Sequence, residues 1–488
     1  MNVAEAIKLI NIRQHDKLFI DGRWTSPSSD GRIEVISPIT EEVIFTVAEA
    51  READMDRAVA AARTAFDHGP WPRMSPAERG AYLRRFGEAL NARSEELGHA
   101  WTNQTGVIHA IGKYAAPGGA QQFLYYADLA SNFQFEEEIA SAGGPAMIVR
   151  EPVGVVAGIV PWNSPFGLAC IKVAPALLAG CTVVLKASPE TPLDAYIMAE
   201  AAEQIGLPPG VLNVVTAHRP ASEHLVRNPD VDKVSFTGST AAGKKIAAIV
   251  AERMGRYTME LGGKSAAMVL DDTGVDEAVR SLTGSLCLVS GQVCAALTRV
   301  VVPRRRHDEF ADAFAEAFRA LKPGDPYDPA SHLGPLATDR QLDRVLGYVA
   351  KGQAEGATLA AGGARPANLN RGWYIEPTLF TNVDNRMVIA QEEIFGPVLA
   401  LIPAEDEEDA IRIANESAYG LNGAVLTHDR QKAYQLARRV RAGNISQGGF
   451  RVDTSVGFGG FKQSGVGREG GREGLVPYLE SKTVLLQA

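Results

Sequence analysis

Short apolar segments that alternate with helix-forming segments are the feature that most restricts the fold of this chain. The buried strands predicted in the first such block are residues 153–160, 182–186, 211–215 and 233–236. The helices predicted between them lie near residues 167–178, 193–205 and 221–227. Strands that alternate with helices form a parallel, doubly wound sheet, whose ligands bind at the carboxyl ends of the strands.

A second alternating block begins at Ser265 and continues to about Phe450. Its predicted strands are residues 266–270, 299–302 and 398–402. A chain of 488 residues is too long for a single core. We therefore predict an α/β protein with two α/β domains. Residues 128–150 and the tail from Val476 fit neither core pattern.

Composition and charge exclude several classes of partner. Hydrophobic residues make up 45% of the chain and charged residues 22%, as in an ordinary globular protein. The formal net charge of −9 argues against nucleic acid or an anionic membrane as the main partner. The four cysteines lack CxxC spacing, so we expect reduced thiols, no metal site and a cytoplasmic location. Residues 1–16 lack the apolar run of a signal peptide, and no apolar stretch is long enough to span a membrane.

A carboxylate on a glycine-rich loop precedes a lone cysteine in the middle of the chain. The two motifs are ELGGK at 260–264 and GQVC at 291–294. A thiolate can add to an aldehyde carbonyl, and a carboxylate can then activate the water that releases the acid. Cys294 and Glu260 are therefore our candidate nucleophile and general base. The alternatives are a buried structural thiol for Cys294 and a solvated carboxylate at a strand end for Glu260.

Two further motifs lie upstream of ELGGK: PWN at 161–163 and FTGST at 236–240. Together the four motifs resemble those of the NAD(P)-dependent aldehyde dehydrogenase superfamily, from about Phe19 to about Val484. The domains that this resemblance and the two blocks imply are a dinucleotide-binding domain (1–127 and 151–260), a catalytic domain (261–450), a small β oligomerisation element (128–150 and 476–488) and a glycine-rich connection (451–475).

The resemblance also implies a third catalytic group and oxidation of an aldehyde to a carboxylic acid with NAD(P)⁺, through a thiohemiacetal and a thioester on the cysteine. Asn163 is expected to donate its side-chain N–H to the oxyanion, beside the backbone N–H of Cys294. Asn163 could also be the N-cap residue of a helix that begins at Pro165, which is compatible with the catalytic role. The chain departs from the family just before the cysteine, where Val289 and Ser290 replace the usual Asn and Gln.

The expected cofactor is NAD, NADP is the alternative cofactor, and no metal is required. The residues that the resemblance assigns to cofactor binding are Ile159, Val160, Pro161, Trp162, Lys186, Gly238, Ser239, Gly243, Leu261, Glu393 and Phe395. Many relatives place a glutamate three residues after the lysine, where it repels a 2′-phosphate. Here Pro189 occupies that position and Glu190 follows one residue later. Much of the electrostatic repulsion that disfavours the 2′-phosphate of NADP should therefore be missing.

The expected partner is a small-molecule aldehyde. The positions that would line its funnel are Ser164, Gly167, Leu168, Ile171, Leu288 and Phe458. These residues are uncharged and mostly small or aliphatic, which favours neutral, fairly bulky aldehydes. The resemblance implies a homodimer or homotetramer.

Two glycine-rich motifs suggest other nucleotide sites. Residues 238–244 match most of a phosphate loop, but Lys245 follows where a Mg²⁺-binding Ser or Thr is required, so a pyrophosphate turn is the better interpretation. Residues 465–470 match GxGxxG but lie near the C-terminus with no predicted strand before them, which favours a loop.

Three rival functions remain to be separated by experiment. A coenzyme A-acylating dehydrogenase would lack a glutamate at position 260. A non-catalytic relative would be expected to have lost Cys294, Glu260 or Asn163. A cysteine protease would need a histidine partner, and no recognisable motif supplies one for Cys294.

Overall fold

The computed structural model describes residues 1–487, apart from the side chains of residues 115 and 116. The elements as far as Glu260 are α1 (Val3–Ile7), β1 (Leu18–Ile20), β2 (Arg23–Thr25), β3 (Arg32–Ile36), β4 (Val43–Ala48), α2 (Glu52–Asp67), α3 (Pro76–Asn91), α4 (Ser94–Thr105), α5 (His109–Gly112), α6 (Ala115–Leu129), β5 (Glu136–Ser141), β6 (Gly144–Pro152), β7 (Val155–Ile159), α7 (Pro165–Ala179), β8 (Thr182–Ala187), α8 (Leu193–Gln204), β9 (Leu212–Thr216), α9 (Arg219–Arg227), β10 (Lys233–Thr237), α10 (Thr240–Glu252) and β11 (Arg256–Glu260).

The remaining elements follow in chain order. They are β12 (Ala266–Val269), α11 (Val275–Cys287), β13 (Arg299–Pro303), α12 (His307–Ala320), α13 (Asp339–Ala354), β14 (Thr358–Ala361), β15 (Thr378–Thr381), α14 (Val388–Gln391), β16 (Val398–Ala404), α15 (Glu407–Asn415), β17 (Tyr419–Gly420), β18 (Asn422–Leu426), α16 (Arg430–Ala437), β19 (Asn444–Gln447), β20 (Phe461–Lys462), β21 (Gly465–Val466) and β22 (Leu479–Leu485).

The first sheet has the strand order β2-β1-β9-β8-β7-β10-β11-β21. Its five central strands, β9 to β11 in that order, run parallel, whereas β1 and β21 pair with it antiparallel. The four strands predicted for this block are β7, β8, β9 and β10, and the predicted helices are α7, α8 and α9. Because the strand order reverses between β7 and β10, a crevice opens at the carboxyl ends of these two strands.

Helices cover both faces of the first sheet. One face packs on α3, α6, α7 and α8, and the other on α2, α9 and α10. The helix α7 is buried along most of its length and ends at Gly180, whose φ of 99° is the left-handed conformation that closes a helix. Since α7 follows β7 directly, the short loop between them is held at the edge of the crevice.

The second sheet has the strand order β14-β15-β16-β13-β12-β18-β19 and is parallel apart from β14. The three strands predicted for the second block are β12, β13 and β16. Separate apolar clusters pack on its two faces, one with α13 and α15 and the other with α11 and α12. The predicted fold, a doubly wound parallel sheet with a second α/β domain, is confirmed, and the domain boundaries stay predictions.

The segments that fit neither core pattern form a three-stranded antiparallel sheet, in the order β22-β6-β5. The segment predicted at 128–150 begins too early, because α6 continues to Leu129 and the first strand starts at Glu136. Of the tail predicted at 476–488, the strand is Leu479–Leu485, and its last residue lies outside the described residues.

The loop prediction for residues 465–470 was wrong in part. Gly465 and Val466 form the short strand β21, which pairs antiparallel with the end of β11. A Cβ at Gly465 would lie 2.0 Å from the Met259 carbonyl oxygen, so only glycine allows this close approach. The C-terminal glycine-rich segment therefore returns to the first sheet beside Glu260. Within residues 1–487, no helix is both long and apolar enough to cross a membrane.

Candidate active site

Two cavities occupy the crevice at the carboxyl ends of β7 and β10, and Ser239 lines both. The larger has a volume of about 800 Å³ and lies over the ends of β7 and β8. The smaller has a volume of about 270 Å³ and lies between the two sheets. The residues that line it are Pro161, Trp162, Asn163, Thr237, Gly238, Ser239, Glu260, Leu261, Gly262, Cys294, Gln341, Arg344, Glu393 and Phe395. All three candidate catalytic residues therefore meet in one cavity.

The turn before Cys294 is strained. Val289, Ser290 and Gly291 have φ values of 48°, 52° and 74°, so three successive residues adopt the left-handed conformation. A Cβ at Gly291 would lie 2.4 Å from the backbone of Gly396, so glycine is required there. The turn packs closely against the segment that contains Phe395, and it carries Cys294 out of the end of α11 to the cavity wall.

Gln292 holds this turn in place from a fully buried position. Its Nε2 donates to the Val289 carbonyl oxygen at 2.8 Å, and its Oε1 accepts from the Ala337 N–H at 3.0 Å. Its own carbonyl oxygen accepts from Asn163 Nδ2 at 2.9 Å. Gln292 therefore fixes the position of Cys294 relative to Asn163.

Asn163 lies at the end of the loop that follows β7. Its carbonyl oxygen accepts from Trp101 Nε1 at 2.9 Å. The bond to Gln292 uses only one of the two amide N–H groups. The alternative of a helix cap does not hold, because the N-cap residue of α7 is Ser164. Asn163 is thus held from both sides beside Cys294.

The Cys294 side chain is partly accessible at the cavity wall. Burial of the thiol, with the nearby charges of Glu393 and Glu260, raises its pKa to about 12. The other cysteines differ in position: Cys170 and Cys181 are buried in the core, whereas Cys287 is only partly buried at the end of α11.

We expect alkylation of Cys294 by iodoacetamide to accelerate about tenfold per pH unit between pH 7 and pH 10. The thiolate is the reacting species, and its fraction rises tenfold per unit below the pKa. Mass spectrometry of the Cys294 peptide would give the rate, in a Cys287→Ala background so that the second accessible thiol does not interfere. A rate independent of pH over this range would mean that the thiol is already ionised.

Glu260 ends β11 and is 3% exposed. Neither carboxylate oxygen has a hydrogen-bond partner among the described residues. Burial, together with the charge of Glu469, raises the pKa of Glu260 well above its usual range, whereas Lys172 and Arg468 act in the opposite direction. A Cβ at Gly459 would lie 2.7 Å from Glu260 Oε1, so the glycine-rich segment leaves room for this carboxylate.

Lys172 and Glu469 form a buried ion pair next to Glu260, with 2.5 Å between Nζ and Oε1. Ser235 Oγ donates to the same Glu469 oxygen at 3.1 Å. Sequence analysis missed both charged residues. The signal for Lys172 was a single charge in the apolar helix α7, whereas Glu469 lay in the segment interpreted as a loop.

Glu393 and Phe395 precede β16. Glu393 Oε1 accepts from the Gly263 N–H at 3.0 Å, and burial raises the pKa of Glu393 to about 7. Phe395 has a φ of 66°, and its ring lies edge-on to Trp162 with 5.3 Å between centroids. Gln341 Nε2 donates to the Phe395 carbonyl oxygen at 2.7 Å and so supports this strained residue.

Of the remaining predicted cofactor residues, two line the larger cavity and two, Val160 and Gly243, line neither cavity. Ile159 and Lys186 line the larger cavity, and burial lowers the pKa of Lys186 to about 8, although Glu190 opposes this shift. Val160 is buried and lines neither cavity. A Cβ at Gly243 would lie 2.4 Å from the Leu261 side chain, so this glycine allows α10 to pack against the loop after β11.

The predicted substrate positions line neither of these two cavities. Ser164 occupies the N-cap position of α7 without a side-chain capping bond, and Gly167, Leu168 and Ile171 lie in the first two turns of that helix. Leu288 begins the turn that leads to Cys294. Phe458 pairs through its backbone with Glu469.

The phosphate-loop match at 238–244 forms the turn from β10 into α10. Ser239 is the N-cap residue, and its Oγ accepts from the Ala242 N–H at 3.3 Å. Lys244 Nζ donates to Gln463 Oε1 at 2.9 Å, and Lys245 pairs with Glu223 at 2.7 Å. Both lysines are engaged by protein groups, whereas the backbone turn itself faces the crevice.

Comparison with models of known protein families identifies the family of this chain. The model of the aldehyde dehydrogenase family matches residues 24–484. The chain belongs to the aldehyde dehydrogenase family. It is 44% identical to the geranial dehydrogenase of Castellaniella defragrans, over 97% of this chain and 99% of that relative.

Solved structures of the family superpose closely on this aldehyde dehydrogenase. The aldehyde dehydrogenase of Mycobacterium tuberculosis in complex with NAD⁺ has a TM-score of 0.95 at 45% identity, covering 98% of this chain and 99% of that one. A cysteine-to-alanine variant of Pseudomonas syringae aldehyde dehydrogenase C, in complex with NAD⁺ and octanal, has a TM-score of 0.94 at 39% identity and covers 97% of each chain. The predicted family and enzyme class are confirmed: the protein oxidises aldehydes.

Proposed function

We propose that this dehydrogenase oxidises a neutral, apolar aldehyde to its carboxylic acid with NAD⁺, through a thioester on Cys294. The observation that carries this proposal is the meeting of Cys294, Glu260 and Asn163 in one cavity, from three distant parts of the chain. The direct test is NADH formation with NAD⁺ and a series of aldehydes. Absence of turnover with every aldehyde of the series would contradict the proposal.

The crevice fits a dinucleotide. Its two cavities meet at Ser239, on a strand-to-helix turn whose backbone N–H groups suit a pyrophosphate. The larger cavity, with Lys186 and Ile159, suits the adenosine half, and the smaller suits the nicotinamide half. Glu393 and Phe395 would hold the nicotinamide ribose and ring. When bound, the cofactor supplies the oxidation by accepting hydride at the nicotinamide.

Cys294 supplies the nucleophile. After the thiol proton passes to solvent, the sulfur bonds to the aldehyde carbon, and the carbonyl oxygen becomes an oxyanion. The free amide N–H of Asn163 and the backbone N–H of Cys294 are suited to stabilise that charge. Because Gln292 fixes Asn163 beside the turn, these donors need little rearrangement when the oxyanion forms.

Glu260 supplies the base for release of the acid. A carboxylate whose pKa is raised by burial is a stronger base than a solvated one, and its oxygens have no competing partner among the described residues. It takes a proton from water as the water oxygen bonds to the thioester carbon, and the Cys294 thiolate leaves. This chemistry makes water the acyl acceptor, and added coenzyme A should not accelerate turnover.

Apolar aldehydes are the substrate class that the chain favours. The predicted funnel positions, which lie outside the two cavities and include Leu168, Ile171, Leu288 and Phe458, carry no charge. Of the three relatives named above, one is a geranial dehydrogenase and another binds octanal, and both aldehydes are apolar. We expect kcat/KM to rise with the apolar size of the aldehyde and to be low for semialdehydes that carry a carboxylate.

We expect NADP⁺ to be used with a kcat/KM less than about 100-fold below that of NAD⁺, or roughly 2.7 kcal/mol. Pro189 lines the larger cavity where many relatives carry a glutamate, and Glu190 is engaged by Ser188 and Arg340. The measurement is the ratio of kcat/KM for the two cofactors at one saturating aldehyde. A preference of several thousandfold for NAD⁺ would mean that a carboxylate still lies near the adenosine ribose and repels the 2′-phosphate.

We propose a homodimer or homotetramer assembled through the three-stranded sheet of β5, β6 and β22. Three apolar side chains on this sheet remain exposed: Ile139, Val484 and Leu485. Light scattering after size-exclusion chromatography would give the mass, and a monomer would contradict the proposal. The cytoplasmic location stays a prediction.

A further inference from the structure

One helix contacts both cavities of the crevice. Gln341 and Arg344, in the first turns of α13, line the smaller cavity, where Arg344 also donates to the Glu393 carbonyl oxygen. Arg340, one residue before Gln341, lines the larger cavity. Since α13 packs on the second sheet, Arg340 extends from that layer to a cavity built mainly on the first sheet.

Arg340 pairs there with Glu190. Its guanidinium donates to Glu190 Oε1 at 2.9 Å, and Ser188 Oγ donates to Glu190 Oε2 at 2.6 Å. Both oxygens of this carboxylate are therefore engaged, and its charge is compensated. The Arg340 side chain is 76% exposed, so no packing holds it in this one position.

The charge of the larger cavity favours an anion. The formally charged side chains on its wall are the cations Lys186, Arg219, Lys245 and Arg340 and the carboxylates Glu190 and Glu223. Lys245 is occupied by Glu223, which leaves Lys186, Arg219 and Arg340 as the other cations of a wall that Pro189 and Glu190 also line. The wall thus carries more cations than carboxylates, and Pro189 lies in it where relatives of the commoner pattern add a further carboxylate.

We propose that Arg340 is a cofactor-specificity residue, which exchanges Glu190 for the 2′-phosphate of NADP⁺. This inference rests on the proposed function, in that the larger cavity must hold the adenosine half of the cofactor. An exposed ion pair contributes little to stability, so it exchanges easily. A guanidinium binds a phosphate through two parallel hydrogen bonds, which an exposed single contact to Glu190 does not provide.

The test uses two fragments that occupy only the adenosine site, 2′,5′-ADP and 5′-AMP, with affinities measured by calorimetry on the intact enzyme. We expect the Arg340→Gln variant to weaken 2′,5′-ADP relative to 5′-AMP by about tenfold or more. The Glu190→Gln variant removes the competing carboxylate and should shift the same ratio in the opposite direction. The Arg340→Lys variant should recover part of the affinity for 2′,5′-ADP.

Lys351→Gln is the matched control. It removes one exposed cation from the same helix, about 16 Å further along its axis, and should leave the affinity ratio within about twofold. An unchanged ratio in Arg340→Gln, or an equal loss in Lys351→Gln, would overturn the role of Arg340. If the parent enzyme binds neither fragment, the assignment of the cavity to adenosine fails, and the inference fails with it.

Discussion

The Cys294→Ala variant should lose at least about 10³-fold in aldehyde oxidation while it still binds NAD⁺. Alanine cannot form the covalent adduct, and a missing nucleophile typically lowers the rate by several orders of magnitude. The Ala side chain fits the space of the thiol, and no residue of the larger cavity is changed. NADH formation gives the rate, and a change in intrinsic fluorescence with added NAD⁺ gives the binding.

Cys287→Ala is the control for this experiment. Cys287 is the other partly buried cysteine, lies at the end of the helix that leads to Cys294, and lines neither cavity. Its replacement should leave the rate within about threefold. Activity of Cys294→Ala within about tenfold of the parent would mean a contribution below roughly 1.4 kcal/mol to the barrier, which is too small for a covalent nucleophile.

The second large effect is expected for Glu260→Gln, which should retain a rapid first turnover and then slow sharply. Glutamine is of similar size but cannot take the proton of the hydrolytic water, so the thioester should accumulate. Stopped-flow measurement should show a burst of NADH close to one equivalent per active site. The steady rate that follows should be lower than that of the parent by about 10²-fold or more.

The trace also separates the roles that Glu260 could have. If the burst and the steady rate fall together, Glu260 acts on the thiol or on the geometry of the site, and the role in water activation is wrong. Glu252→Gln, at the exposed end of α10, changes the same functional group away from the cavity and should leave both phases unchanged.

The strands and helices of the first block were predictable because their patterns are local. A strand such as β8 is mostly apolar, since a central parallel strand is buried on both faces, and Gly180 ends the helix before it. The strand β21 was not predictable in this way. Two residues carry no periodicity, and only pairing with β11 makes them a strand.

By itself, the sequence determined the family, the α/β fold and the identity of the candidate nucleophile, base and oxyanion donor, because each depends on residue types in a short motif. Only the tertiary structure decided how these groups are arranged and charged. Burial between two sheets raises the pKa values of Cys294 and Glu260.

Only the tertiary structure also revealed the residues that the sequence did not predict. Lys172 and Glu469 are 297 positions apart and meet beside Glu260 only because α7 and the C-terminal segment pack on the same sheet. Arg340 reaches Glu190 across 150 positions, from a helix of the other layer. A charge acts on whatever lies within a few ångströms, and it is the packing of distant segments that sets those neighbours.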